Sequence, residues 1–189
     1  VARIREFDTE AAVEAAMWAF RRTGFEGTSI QDLVEATGVG RGSLYAAFGS
    51  KEGLYLAAVD RYRDTYAVPL IEELRAGRPA RDLIHGILLD LVDEIVADGD
   101  RHACLFVSAA VERAPHDPEV RVRIRATTAS LEDAFADLIG EQGLAGDRDP
   151  RDLARFLMTT IHGMRVMAAV TPDRAALTAI AEVALGCLA

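Results

Sequence analysis

The chain has 189 residues and a formal net charge of −9, and half of its residues are hydrophobic. That composition excludes a disordered chain, and the charge excludes a generic nucleic-acid coat, whose affinity comes from phosphate neutralisation. No run of about 18 uncharged apolar residues occurs, and the opening VARIREFDTE lacks the apolar stretch of a signal peptide, so a cytoplasmic chain without a membrane span is expected. Cys104 and Cys187 stand far apart and outside any CxxC pattern, which argues against a disulfide framework or a zinc finger and fits a reducing compartment.

Apolar residues recur at helical spacing almost throughout and no alternating strand pattern competes with them, so an all-α fold of about nine helices is expected. The first covers residues 8–24, capped by Asp8 or Thr9, with Val13, Ala16, Met17 and Phe20 inward. Trp18 falls on its flank beside Glu14 and Arg22 and is expected to be partly exposed. The second, 28–36, opens at Thr28-Ser29-Ile30-Gln31 with capping-box spacing. Short helix 40–47 follows, then a long helix 50–75 capped by Ser50. Helix 80–98 carries Leu83, Ile84, Ile87, Leu88, Leu91, Val92 and Ile95 on one stripe, and 102–114 is apolar nearly all round, hence enclosed. The last three helices, 117–142, 150–170 and 172–187, start at Asp117-Pro118, Asp149-Pro150 and Thr171-Pro172, each a capping side chain before a proline at the first helical position. Short helices up to residue 49 and long ones after it divide the chain into a small head, 1–49, and a larger body, 50–189, linked by helix 50–75.

The stretch EATGVGRGSLYAAFGSKEGL, residues 35–54, is rich in glycine. A nucleotide-binding loop needs a strand before it and a set glycine spacing, whereas here a helix precedes and GVGRG fits neither GxGxxG nor GxxxxGK[ST]. Gly38 instead supplies the left-handed residue closing one short helix, Val39 turns inward, and the next helix leaves steeply. That is a helix-turn-helix, whose second helix enters the major groove of DNA. Residues 1–60 hold nine acidic and six basic side chains, yet none of the acids lies between Glu35 and Glu52, so Arg41 and Lys51 form a local cationic island.

The segment TSIQDLVEATGVGRGSLYAAFGSKEGLYLAAV resembles the DNA-binding head of TetR-family transcriptional regulators through Thr28, Ile30, Gly38, Val39, Gly42, Leu44, Tyr45, Phe48, Lys51, Glu52 and Leu54. The resemblance covers about residues 8–60. In the body, ACLFVSAAVERAPHDPEV and IHGMRVMA resemble segments of one subgroup. The resemblance implies an all-α homodimer whose two heads bind a palindromic operator in double-stranded DNA, released when a small-molecule inducer enters the body.

The expected DNA contacts are Thr28, Ser29, Arg41, Gly42, Ser43, Tyr45 and Lys51. Arg41 at the front of the short helix can reach guanine O6 and N7 or a phosphate, Ser43 a base edge or phosphate, and the Tyr45 phenol a phosphate. Lys51, like Thr28 and Ser29, stands at a helix start, where side chain and free amides can hold one phosphate together. Leu44, Phe48, Ile30, Leu33 and Val39 form the head core. Ala46 and Ala47 depart from the family, in which larger side chains often reach DNA there, so operator shape carries more of the specificity. Arg3 and Arg5 are candidate arm contacts.

A ligand cavity walled by Leu88, Phe106, Phe135, Met158 and Ile161 is expected beside helix 102–114, with His85, Ser108, His162 and Arg165 to fix polar groups. Such walls favour a largely hydrophobic or aromatic molecule, with Arg165 for an anionic end. Dimerisation is expected through Leu153, Phe156, Leu157, Thr160, Ile161 and Met164 on one helix and Leu177, Ile180 and Ala184, with Val183 nearby, on the next. No cofactor is expected. Two other readings stay open: a metal or thiol sensor on the same scaffold, using His102-Ala103-Cys104 near Asp98, Asp100 and His116, and a helical enzyme with Cys104 as nucleophile. The two donors of the first fall short of a closed metal site, and no motif orients a triad for the second, so a non-enzyme is expected.

Overall fold

The computed structural model describes residues 7–97 and 104–189, and every regular element among them is helical. They divide into two compact units: residues up to Tyr66 with Leu105–Arg125, and Ala67–Cys104 with Ala126–Ala189. The unit that holds the helix-turn-helix therefore reaches beyond the boundary expected at residue 49.

In the first unit, α1 (Thr9–Thr23) is capped by Asp8, whose carboxylate accepts the Glu10 and Ala11 amides. Its buried face is Ala12, Ala16, Met17, Ala19 and Phe20, a stripe shifted slightly from the expected one, with Val13 at its edge. Trp18 is 43% exposed under the Arg21 guanidinium. α2 (Ile30–Thr37) and α3 (Arg41–Phe48) are two eight-residue helices, and α4 (Lys51–Tyr62) follows with Ser50 accepting the Gly53 amide. Helices that short are marginal in isolation, so they depend on packing and on caps. Leu33 and Leu44 supply the packing, fully buried, with Ile30, Val39 and Phe48 half-buried around them. At the heart of the unit Phe20, Phe25 and Tyr55 meet, with ring centroids 4.9 Å and 5.0 Å from Tyr55 in edge-on geometry. α7 (Leu105–Glu112) buries Leu105, Phe106 and Ala109. It is not enclosed all round, because Ala110 and Val111 face outward.

The long helix expected over 50–75 is broken by a π turn at Arg63–Ala67 before α5 (Val68–Leu74). Pro69 is the cause: it has no amide to give the Thr65 carbonyl, and its ring crowds the preceding turn, so the backbone widens there. Counted as one interrupted helix, this stretch leaves nine helices among the described residues.

In the second unit, α6 (Ala80–Ala97), most of α8 (Pro118–Glu141), α9 (Pro150–Ala168) and α10 (Arg174–Gly186) enclose one apolar core, including Leu83, Leu88, Ile95, Phe135, Leu157, Met158, Leu177 and Leu185. Asp117 and Asp149 cap α8 and α9 as expected, each before its proline. α10 differs. Asp173 rather than Thr171 takes the free amides, of Ala175 and Ala176, so the helix begins two residues later than the Thr171-Pro172 pair suggests. A carboxylate accepting two amides outcompetes a single hydroxyl. Gln142 clips the start of α6, accepting the Ala80 amide at 2.7 Å and donating to the Arg78 carbonyl at 2.8 Å.

Gly38 closes α2 in the left-handed region, φ +67°, and a Cβ placed there would touch nothing. The cost of Gly38→Ala is therefore conformational alone. Chemical denaturation is expected to show a loss of about 1 kcal/mol, and an unchanged midpoint would mean that the turn is not held in this conformation.

Candidate nucleic-acid interface

The turn between α2 and α3 follows from two glycines and one valine. Gly38 closes α2 by donating its amide to the Val34 carbonyl at 2.9 Å, Val39 is half-buried, and Gly40 opens α3. Once Leu44 and Phe48 turn inward at helical spacing, Arg41, Gly42, Tyr45, Ala46 and Ala47 are left exposed on α3 and Ser43 half-buried. The Arg41 guanidinium lies 5.4 Å from the centre of the Tyr45 ring one turn on, which pre-orders a long side chain at small entropic cost. α3 has no side-chain cap and no acid in its first turn. Its amides are thus less satisfied than those of α1, α2 and α4, which are capped by Asp8, Ser29 and Ser50.

The remaining expected contacts divide. Ser29 is exposed and caps α2 in a reciprocal box, accepting the Asp32 amide while Asp32 accepts its own. The Asp32 carboxyl is held below its ordinary value by hydrogen bonds from the Ser29 backbone and side chain. Lys51 is half-buried, its Nζ 4.1 Å from the centre of the Phe25 ring. Beside it the Ser50 hydroxyl and the Glu52 amide hold the Glu52 carboxyl low, so an anion already stands at the start of α4. Thr28 is corrected: it is fully buried, donating to the Gly24 carbonyl at 2.6 Å and bonded to the Thr23 hydroxyl at 2.7 Å. Its hydroxyl is used inside the turn and cannot reach a phosphate. Arg3 and Arg5 lie outside the described residues.

Behind this face the α1–α2 turn is gripped by residues that the sequence did not single out. The Glu112 carboxylate, at the end of α7, accepts the Phe25 amide at 2.8 Å and the Glu26 amide at 2.7 Å. Arg113 places its guanidinium 4.1 Å from the centre of the Phe25 ring and pairs with Asp117 at 3.0 Å and Glu26 at 3.5 Å. Burial opposes ionisation of Asp117, but the Val120 amide, the Arg113 guanidinium and the Glu119 amide outweigh it and hold the carboxyl below its ordinary value.

The expected ligand residues are shared between the two units. Phe106 and Ser108 belong to the unit of the helix-turn-helix, the other seven to the second unit. Leu88, Phe135 and Met158 are buried in the second unit's core with Ile161 packed against it. Three polar candidates have protein partners in the structure. His85 bonds Glu182 at 2.9 Å on an open surface, the Ser108 hydroxyl donates to the Leu105 carbonyl of its own helix, and Arg165 forks onto Glu94 at 2.9 and 3.3 Å. In His162 the Nδ1 atom is buried without a hydrogen-bonding partner.

The dimer stripe also splits. Leu153, Leu157, Met164, Leu177 and Ala184 are buried in the protomer's own core. Phe156, Thr160 and Ile180 instead line, with Ala179, Val183 and the edge of Ala184, an open apolar groove of about 360 Å³ on α9 and α10. His102, Asp98 and Asp100 lie outside the described residues, and Cys104 is buried immediately ahead of α7.

Residues 12–58 match the family model of bacterial regulatory proteins, tetR family, and residues 80–183 that of the LmrA/YxaF-like transcriptional regulator C-terminal domain. The HTH-type transcriptional regulator YezE of Bacillus subtilis (strain 168) is 33% identical over 98% of both chains. The HTH-type transcriptional repressor ComR of Escherichia coli (strain K12) is 29% identical over 88% of this chain and 81% of its own. Among solved structures, a cysteine mutant of the TetR family transcriptional regulator CifR, complexed with 26bp double-strand operator DNA, superposes over 100% of both chains with a TM-score of 0.85 and 32% identity.

Because the folded state holds the Asp117 carboxyl below its ordinary value of 3.8, its contribution to stability is fully present above the unfolded value and disappears as the pH falls through the folded one. Asp117→Asn is expected to be less stable than the wild type near neutral pH and to lose less stability on acidification. Parallel acid-unfolding curves for the two proteins would show that the carboxylate is not held in this way.

Proposed function

Because this chain belongs to the TetR family of bacterial transcriptional regulators, which bind DNA, we propose that it acts as a homodimeric repressor. In this reading it binds an inverted-repeat operator and is released by a small, largely hydrophobic ligand. The observation that carries the DNA reading is the open face of α3: an uncapped helix start, the pre-ordered Arg41–Tyr45 pair and no acid between Glu35 and Glu52. The proposed DNA contacts are Ser29, Arg41, Gly42, Ser43, Tyr45 and Lys51. Ala46 and Ala47 offer thymine only a methyl, which leaves Arg41 as the principal base reader and gives operator deformability a larger share of specificity.

The apolar groove supports the dimer. Phe156 and Ile180 are 41% and 38% exposed, large side chains left open on adjacent helices, and a two-fold contact would cover both by setting this patch against the same patch of a second copy. For the ligand, the apolar core of the second unit and the buried, unsatisfied Nδ1 of His162 favour an apolar molecule with one hydrogen-bonding group. A regulator of this kind acts in the cytoplasm.

A thiol-responsive version of the same reading rests on Cys104. Its thiol stands immediately ahead of α7, and the similar regulator CifR was solved as a cysteine mutant. Oxidant treatment is then expected to release the wild type, but not Cys104→Ser, from a bound operator; equal release of both removes Cys104 as the sensor.

Selection of bound DNA from random duplexes tests the main reading. An inverted repeat is expected, with half-sites about one helical turn or a multiple apart. Arg41→Ala should weaken the selected duplex by about 1–3 kcal/mol per half-site and relax one base pair in each half. Lys51→Ala should weaken all duplexes alike and flatten the salt dependence. Sedimentation should give a dimer for the wild type and a shift towards monomer for Ile180→Asp. A wild type that is monomeric at micromolar concentration and enriches no inverted repeat would defeat the proposal.

A further inference from the structure

We propose that Glu112 is a positioning residue for operator binding: by accepting the Phe25 and Glu26 amides, its carboxylate holds the α1–α2 turn in the geometry that presents α3 to DNA. This inference rests on the DNA-binding reading above and names a residue outside the helix-turn-helix on which that reading depends.

Thr28 ties the turn internally to Thr23 and the Gly24 carbonyl, but two of the turn's amides are met from outside it. Gly24 closes α1 with φ +73°, after which the Phe25 and Glu26 amides point away from any helical partner, and Glu112, 87 and 86 residues further along the chain, takes both. Bonds from amides to an ionised acceptor are stronger than neutral ones and fix direction as well as distance. The fit is close: a Cβ on Gly24 would stand 2.9 Å from Glu112 Oε2, so the turn backbone lies directly against the carboxylate.

The grip reaches both ends of the DNA-reading segment. Leaving the turn, the chain enters α2 through Ser29; leaving α3, it enters α4 through Lys51, whose ammonium sits over the same Phe25 ring that Arg113 covers. The entry to α2 and the exit from α3 therefore meet at Phe25, and Phe25 is anchored by Glu112 and Arg113. Displacement of the end of α7 would move the turn, the ring and Lys51 together.

The sign of the charge separates position from attraction. Glu112 adds a negative charge to a head already acidic, so on electrostatics alone Glu112→Gln should bind DNA more tightly. If Glu112 acts through position, the same change weakens binding, because a glutamine offers one acceptor atom and turns an NH2 group toward the second amide.

The test uses the full chain and the duplex that the wild type selects from a random pool. It follows four quantities: the exchange rates of the Phe25 and Glu26 amides, the Kd for that duplex, the slope of that Kd with salt, and the active fraction from stoichiometric titration. For Glu112→Gln both amides are expected to exchange faster. Kd should rise about tenfold, corresponding to a competent turn populated about one-tenth of the time, with active fraction and salt slope unchanged. Glu112→Asp keeps the charge but is one methylene too short to reach both amides; it is expected to behave alike and serves should the glutamine variant fail to fold. Unchanged or tighter binding with fast amides, or a loss confined to the active fraction, overturns the inference while leaving the DNA reading intact. A wild type that selects no duplex removes both.

Discussion

The Phe25 ring is the fixed point of the DNA-reading unit. It is buried, stands edge-on to Tyr55, stacks near Phe20, and carries the cations of Lys51 and Arg113 on its π surface. Two helices of eight residues cannot persist by propensity, since nucleation costs more than so few hydrogen bonds return. Their position is borrowed from what they are tied to: α1 through the turn, α4 through Lys51, and α7 through Glu112. An aromatic ring suits this junction because it offers apolar edge to the core and negative face to cations, joining the uncharged interior to charged neighbours without an unpaired buried ion.

Local signals in the sequence carried much of this. Asp117-Pro118 and Asp149-Pro150 gave helix starts because a capping oxygen and a proline at the first helical position act within four residues. Gly38 and Val39 marked the turn for the same reason. The failures share a cause as well. Thr28 and Ser29 look alike as capping residues, and only the fold shows that one hydroxyl is sealed inside the turn while the other is open. Leu153, Leu157 and Phe156 recur on one helix with one hydrophobic character, yet the first two line the protomer's interior and the third its exterior. Periodicity reports that a side chain is apolar and on a given stripe; it does not report which body covers that stripe.

Pairings of polar side chains in the second unit are equally hidden from the sequence. Arg165 and His85 are ligand candidates in the sequence as polar groups among apolar neighbours. Their partners, Glu94 and Glu182, lie 71 and 97 residues away. The pairing of Arg165 with both oxygens of one carboxylate is what the guanidinium fork favours, and it leaves that side chain committed to the protein. His162 differs because its buried Nδ1 lacks that satisfaction.

Net charge connects these details. A chain at −9 has no long-range attraction to draw DNA in or to tolerate a recognition helix held loosely. A strongly basic protein gains affinity from phosphates at many orientations, whereas an acidic one gains it only where a small cationic face meets the backbone at contact distance, within roughly one Debye length of about 8–10 Å. In such a protein, placement substitutes for charge. That accounts for a negative residue, Glu112, beside the helix-turn-helix: the two amide bonds it accepts fix the orientation on which short-range contacts depend, and its repulsion of phosphate is the smaller effect because the carboxylate is already occupied by those amides.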